Sequence, residues 1–110
     1  MANTFEIKFQ EENIPAKALM LIKKFTNQSI SQIRHSADQH APFFGCELSD
    51  DRGLSLIIKM HDELESLNIE TNLLEDGNTE TINYFRNVLK SHIDTAKEVG
   101  LEEEDLDLYY

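Results

Sequence analysis

The sequence predicts an α+β protein in which helices cover one face of a three-stranded sheet. In residues 57–67, apolar side chains recur at steps of three and four, as on one side of a helix. In residues 69–75 the period changes to two, as in a half-buried strand. Residues 4–10 alternate in the same way. A helix that passes directly into a half-buried strand indicates that a sheet lies beneath it.

The first half of the chain predicts one strand and two helices. Residues 4–10 form the first strand, since apolar and polar side chains alternate along it without a break. Asn13 is the predicted cap of a first helix that tolerates Pro15 in its first turn. Ser29 and Gln32 have the spacing of a capping box, which predicts that a second helix begins there.

The central stretch predicts a second strand, the central helix and the third strand. Pro42 cannot continue a helix, and the aromatic-rich residues 43–48 alternate as a second strand. Asp50 or Asp51 is positioned to cap the central helix. Asn68 tolerates the left-handed conformation that is common just past a helix end, after which the third strand begins.

The last element is predicted to be a helix over residues 79–99, after a turn at Asp76, Gly77 and Asn78 and before Gly100. The predicted order is therefore β-α-α-β-α-β-α. Because a helix joins the second and third strands, we expect these two to run parallel, with the first strand antiparallel between them.

Eleven apolar positions on the inward sides of these elements are predicted to form one core. They are Ile7, Phe9, Leu19, Ile22, Ile33, Ile57, Leu64, Ile69, Leu73, Phe85 and Leu89.

Length and charge predict a single domain over residues 1–100, followed by a flexible acidic tail over residues 101–110. The chain has 21 acidic and 10 basic residues, a formal charge of -11. The tail holds five of the acids and no base, which leaves 16 acids against 10 bases in the domain. Such a surface disfavours binding to nucleic acid or an anionic membrane and favours a basic protein partner. The simpler alternative is that the charge only maintains solubility.

The cysteine and the apolar segments favour a protein of the cytoplasm. Cys46 is the single cysteine and excludes an intramolecular disulfide, and no basic-then-apolar leader precedes the first strand. No apolar run approaches the roughly 18 residues of a membrane-spanning helix.

No pattern in the sequence predicts catalysis, a metal or a cofactor. His35 and His40 are five residues apart and lie on different sides of a helix, while His61 and His92 belong to separate helices. Cys46 alternates with apolar residues, which favours a buried side chain over a nucleophile. The four glycines are scattered and form no phosphate-binding loop. The sequence therefore predicts a protein that is not an enzyme.

Two stretches, ALMLIKKFTNQSISQIR (residues 18–34) and LESLNIETNL (residues 64–73), stand out beside the predicted order of strands and helices. Through these stretches and this order, residues 4–75 resemble the C-terminal domain of the bacterial ribosomal stalk protein. The same architecture is similar to that of the adaptor that delivers N-degron substrates to a bacterial protease. The resemblance implies an α+β fold and names no single activity.

The chain departs from the stalk domain at the positions that recruit translation factors in that family. Residues 26–30 replace its glycine-rich corner, and Met20 stands at one of its lysine positions. Of its basic group, Lys23 and Lys24 are the available substitutes. The helix over residues 79–99 and the acidic tail lie outside the resemblance.

Two functions are predicted, of different classes. The first is a protein-binding module, most concretely an immunity protein that neutralises a basic nuclease toxin by direct binding. The second is an adaptor or translation-associated factor that presents the groove between its first two helices, with Lys23 and Lys24, to a larger assembly. For the first function, the predicted contacts are Asp50, Asp51, Asp62, Glu63 and Glu65, with Glu102, Glu103, Glu104, Asp105 and Asp107 as a steering tail.

Overall fold

A computed structural model describes residues 4–11 and 13–98, with side chains described up to residue 93. Its elements follow one another as strand, two helices, strand, helix, two strands and helix. They are β1 (Thr4–Phe9), α1 (Ala16–Thr26), α2 (Ile30–Asp38), β2 (Phe44–Glu47), α3 (Asp51–Ser66), β3 (Thr71–Glu75), β4 (Asn78–Glu80) and α4 (Ile82–Glu98). The predicted α+β class is confirmed. Gly100 and the acidic tail lie outside the described residues.

The sheet has the strand order β2-β1-β3-β4, and every neighbouring pair is antiparallel. Since β1 lies between β2 and β3 and is antiparallel to both, those two strands run parallel to each other, as predicted. The prediction of three strands was wrong, because the sheet has a fourth strand between β3 and α4. The order of elements is therefore β-α-α-β-α-β-β-α.

The additional strand is joined to β3 by a two-residue hairpin turn. Glu75 pairs with Asn78, so that Asp76 and Gly77 form the loop, and both have positive φ, 52° and 84°. This is the conformation for which the Asp-Gly sequence is preferred. The short, polar β4 displaces the start of the last helix to Ile82, three residues later than predicted, and the Thr81 hydroxyl accepts a hydrogen bond from the Tyr84 backbone N–H.

The predicted core is confirmed at all eleven positions, which belong to one cluster of buried residues. Phe5, Ile7 and Phe9 of β1 point toward the helices, and their neighbours Glu6 and Lys8 lie on the opposite, half-exposed face. The cluster also contains eight apolar residues outside the predicted list of eleven, namely Phe5, Ile14, Ala18, Ala37, Phe43, Leu54, Ile58 and Met60.

Helix capping follows the prediction at two of three sites. Ser29 and Gln32 form the reciprocal capping box of α2, and the Asp50 carboxylate accepts a hydrogen bond from the Gly53 N–H. The prediction of Asn13 as a cap was wrong, because α1 begins after Pro15, whose extended backbone carbonyl accepts the first helical hydrogen bonds. A proline at this position fixes φ and needs no side-chain cap to start the helix.

Candidate interaction surfaces

The two acids at the start of α3 hold the helix in place. Asp50 Oδ1 lies 2.9 Å from the backbone nitrogen of Gly53 and caps the first turn. Asp51 contacts His92 Nδ1 of α4, and its side chain is three-quarters buried. Both carboxylates therefore have partners within the fold, and Asp51 joins the start of α3 to α4.

The other three predicted acids lie near the opposite end of the same helix. Asp62 Oδ1 is 2.5 Å from Arg86 Nη2 of α4 and 3.2 Å from His61 Nδ1. Glu65 is 73% exposed, with Oε2 at 3.5 Å from His61 Nε2. Eleven residues separate Asp51 from Asp62, a distance of about 17 Å along a helix axis. The structure thus places the predicted acids in two separate groups, and residues 102–107 lie outside the described part.

Helical geometry also separates Glu63 from the two acids beside it. Each residue of an α-helix is rotated by about 100° from the previous one, so that Asp62 and Glu65 share a side while Glu63 points away from both. Glu63 instead borders a groove on α1. The acid that shares a hollow with Glu65 is Glu70, which the sequence analysis did not single out as a contact.

Glu65 and Glu70 flank a shallow hollow of about 200 Å³, lined also by Asn68 and Ile69. Asn68 has φ 62° and reverses the chain there, which brings Glu70 back beside the end of α3. Both glutamates are exposed, whereas Ile69, the apolar residue of the lining, is 6% exposed. We call Asp62, Glu65 and Glu70 the acidic end of α3. Its hollow combines an apolar lining residue with two carboxylates, which suits the aliphatic stem and charged head of a lysine or arginine.

The acids at this end are electrostatically unfavourable for the helix itself. The C-terminal end of an α-helix carries a partial negative charge, so that cations stabilise it and anions destabilise it. The last turn of α3 contains Glu63 and Glu65 and no basic residue. A further acid, Glu70, follows within four residues of the helix end. Local helix stability therefore does not account for acids at this position.

A second surface feature is a groove between α1 and α3, which differs from the groove between α1 and α2 of the predicted adaptor. Its volume is about 520 Å³, and we call it the lysine groove. Its lining consists of Lys17, Met20, Leu21, Lys24, Phe25, Lys59 and Glu63. Met20 is 54% exposed, the one large apolar side chain so exposed among the described residues. Of the two lysines predicted for an adaptor, Lys24 lines this groove and Lys23 does not.

The sequence contained a signal for the lysine groove. Lys17, Met20, Leu21 and Lys24 follow one another at steps of three, one and three, which places them on one side of α1. Lys59 comes from α3, with its Nζ 5.7 Å from the centre of the Phe25 ring. The cluster of three lysines therefore depends on how α1 packs against α3, which periodicity does not reveal.

Cys46 lies on β2, half-buried beneath the start of α3. Burial, with the added effect of the Asp50 and Asp51 carboxylates, raises the pKa of its thiol from 9.0 to about 12. A thiol of high pKa is a poor nucleophile at neutral pH.

We expect iodoacetamide to alkylate Cys46 at least about tenfold more slowly at pH 8 than it alkylates an ordinary thiol, because burial raises the pKa of the Cys46 thiol to about 12 and thereby lowers its thiolate fraction. The rate should increase about tenfold for each pH unit up to about pH 11 and should become ordinary in denaturant. Mass spectrometry of timed samples measures both rates. Equal rates in the folded and denatured protein would contradict the assigned burial.

The four histidines are not arranged as a metal site in the described residues. His35 and His40 are exposed, and His61 and His92 contact carboxylates as described above. No group of three or more histidine, cysteine, aspartate or glutamate side chains in residues 4–11 and 13–93 is placed to hold a metal ion. In the same part of the chain, no helix is long and apolar enough to cross a membrane.

No protein-family model matches the chain, and neither a curated protein nor a solved structure matches it. The resemblance to the ribosomal stalk domain therefore stays a prediction. What the described residues define is an α+β fold with a four-stranded antiparallel sheet and four helices.

Proposed function

We propose that the chain is a protein-binding module that engages a basic protein partner through the acidic end of α3. The observation that carries this proposal is the pair of exposed carboxylates, Glu65 and Glu70, beside a hollow that the apolar Ile69 also lines. A lysine or arginine of the partner would place its stem on Ile69 and its charge between the two glutamates.

The position of these acids supports a role in recognition. Residues that lower the stability of their own helix are expected where function requires them. The formal charge of -11 adds a long-range attraction for a basic partner, which raises the rate of association. In its most concrete form, the proposal is an immunity protein of the cytoplasm that covers the positive active site of a nuclease toxin.

The first test needs no partner. We expect Glu65→Lys to raise the free energy of unfolding by about 0.3–1 kcal/mol, because it replaces an anion by a cation in the last turn of α3. Urea denaturation measures the change. Glu11→Lys is the matched control, since it makes the same change of net charge at an exposed residue outside any helix. If Glu65→Lys gained no more stability than the control, the acid would not be costly and this support would be lost.

The alternative is an adaptor that binds a larger assembly through the lysine groove. The exposed Met20 and the position of Lys24 favour a binding role for this groove. The acidic end of α3 is the stronger candidate for a contact with a basic partner, and the two surfaces lie on different sides of the same helix.

A further inference from the structure

We propose that the lysine groove binds the chain's own acidic segment, residues 101–110. This inference is independent of the proposed function, because it concerns a different surface and a contact within one chain.

The groove has the chemistry of a receptor for an acidic and apolar peptide. Its floor is formed by Met20, Leu21 and Phe25, and the exposed methionine offers an adaptable apolar contact. Lys17, Lys24 and Lys59 surround this floor, which gathers three of the 10 basic residues of a strongly acidic chain at one place. Glu63 is the one acid that lines it.

The acidic segment has the complementary composition. Its sequence LEEEDLDLYY contains five acids and five apolar or aromatic residues, with no base. Four consecutive acids follow Leu101, and the last five residues are Leu106, Asp107, Leu108, Tyr109 and Tyr110. Leucine and tyrosine side chains fit the apolar floor, and the acids offer a partner for each lysine of the rim.

The course of α4 brings this segment within reach of the groove. Arg86 contacts Asp62 and His92 contacts Asp51, so α4 runs antiparallel to α3 and leads toward its start. Since His92 lies beside Asp51, the distance from the end of α4 back to the level of Lys59 on α3 is about 20–25 Å along the helix axes. Twelve residues, 99–110, extend up to about 40 Å. The segment can therefore cross to the adjacent side of α3 and lay its last residues along the groove.

Covalent connection favours this occupant over a separate peptide of the same kind. A segment joined by a short linker is present at an effective concentration in the millimolar range. Weak contacts, such as exposed ion pairs and two or three apolar side chains, are then sufficient to keep the groove occupied. Occupancy would also neutralise three lysines and leave the remaining surface more uniformly negative.

The test uses the full chain with Cys46→Ala and Asp107→Cys, which carries a nitroxide spin label at residue 107. In a 15N-labelled sample, we expect the label to broaden the amide signals of Met20, Lys24 and Glu63 several-fold more than that of Thr79 on β4. Broadening should decrease as salt is raised from about 0.05 to 0.5 M, because exposed charges are then screened. Broadening that is equal at the groove and at Thr79 would overturn the proposal.

Charge reversal provides the matched comparison. Lys17→Glu/Lys24→Glu/Lys59→Glu should abolish the selective broadening, whereas Lys8→Glu/Lys23→Glu/Lys90→Glu makes the same charge change outside the groove and should preserve it. If the groove variant did not fold, Glu103→Lys/Glu104→Lys/Asp105→Lys gives the same test from the side of the segment and should also abolish it. Selective broadening that persisted in the folded groove variant, or in the variant with Glu103, Glu104 and Asp105 replaced by lysine, would overturn the proposal.

A mixed sample shows whether the segment in the groove belongs to the same chain or to a second copy. We combine 15N-labelled chain without a spin label and unlabelled chain that carries one. We expect no broadening in this mixture, since the contact is within one chain. Broadening of the groove signals in the mixture as strong as in the single-chain sample would assign the groove to a second copy and overturn the proposal in its intrachain form.

Discussion

Truncating Leu64 to Ala is expected to lower the free energy of unfolding by about 2–5 kcal/mol, and Ile57→Ala is expected to have an effect of the same size. Both side chains are 0% exposed and belong to the cluster that joins α3 to the sheet. Each truncation leaves a cavity in the buried core. The variant therefore loses the transfer free energy of the removed groups and the packing contacts that they made. Urea denaturation monitored by circular dichroism measures the change.

Two control variants test whether the loss of stability decreases as the truncated side chain becomes more exposed. Leu67→Ala removes the same atoms from a half-buried position at the end of α3 and should cost less than Leu64→Ala. Met20→Ala removes a large apolar side chain that is 54% exposed and should cost less than about 1 kcal/mol. A loss below about 1 kcal/mol at both Ile57 and Leu64 would mean that the buried side of α3 is wrongly assigned.

Gly53→Ala is expected to destabilise the protein by about 1–3 kcal/mol, although alanine is the better helix former by about 1 kcal/mol. A Cβ added to Gly53 would lie 2.4 Å from Cys46 Cβ and 2.9 Å from Cys46 Sγ. Cys46 Cβ is fixed by the backbone of β2, so that the contact cannot be relieved by a side-chain rotation. The added atom would also lie 2.7 Å from Asp50 Oδ2, which belongs to the carboxylate that caps α3.

A double-mutant cycle with Cys46→Gly identifies the cause of this loss. Cys46→Gly by itself lowers the free energy of unfolding. In the Cys46→Gly background, however, Gly53→Ala should destabilise the protein much less, because the atoms of the main clash have been removed. Urea denaturation of the four proteins gives the interaction energy. If Gly53→Ala were as stable as the parent protein, or if its cost were the same in the Cys46→Gly background, the close packing of α3 on β2 would be refuted.

The sequence predicted those elements and core positions that the spacing of apolar residues indicates. β1 alternates because one side of it is buried against helices and the other is not, and this pattern is visible in residues 4–10. The eleven predicted core positions follow from the same principle. β4 was missed because Asn78–Glu80 is three polar residues long and has no apolar side to show. The signal that was available is the Asp-Gly pair, which specifies a two-residue hairpin.

The candidate sites were harder to predict, because each is assembled from more than one element. Sequence alone groups Asp62, Glu63 and Glu65, whereas rotation about the helix axis turns Glu63 toward α1 and the reversal at Asn68 brings Glu70 to Glu65. The lysine groove likewise requires Lys59 of α3 beside the lysines of α1. The separation of Glu63 follows from spacing within one helix, whereas the approach of Glu70 to Glu65 and of Lys59 to α1 depends on tertiary packing.

The proposed partner contact can be separated from the general charge of the protein by one pair of variants. Glu65→Lys/Glu70→Lys changes the acidic end of α3, and Glu11→Lys/Glu47→Lys makes the same charge change at exposed residues elsewhere. Asp62 is left unchanged, because its ion pair with Arg86 contributes to the packing of α4. Any difference between the two variants therefore reports on the site.

The most direct measurement is the affinity of the purified partner for these proteins, determined by isothermal titration calorimetry at low and high salt after affinity capture on the full chain has identified it. The account predicts a basic protein that binds the parent chain and the Glu11→Lys/Glu47→Lys control similarly. It predicts that Glu65→Lys/Glu70→Lys weakens binding at least several-fold and flattens its salt dependence. Capture of only neutral or acidic proteins, capture of ribosomes or a protease through Lys24, or unchanged affinity in Glu65→Lys/Glu70→Lys would contradict it.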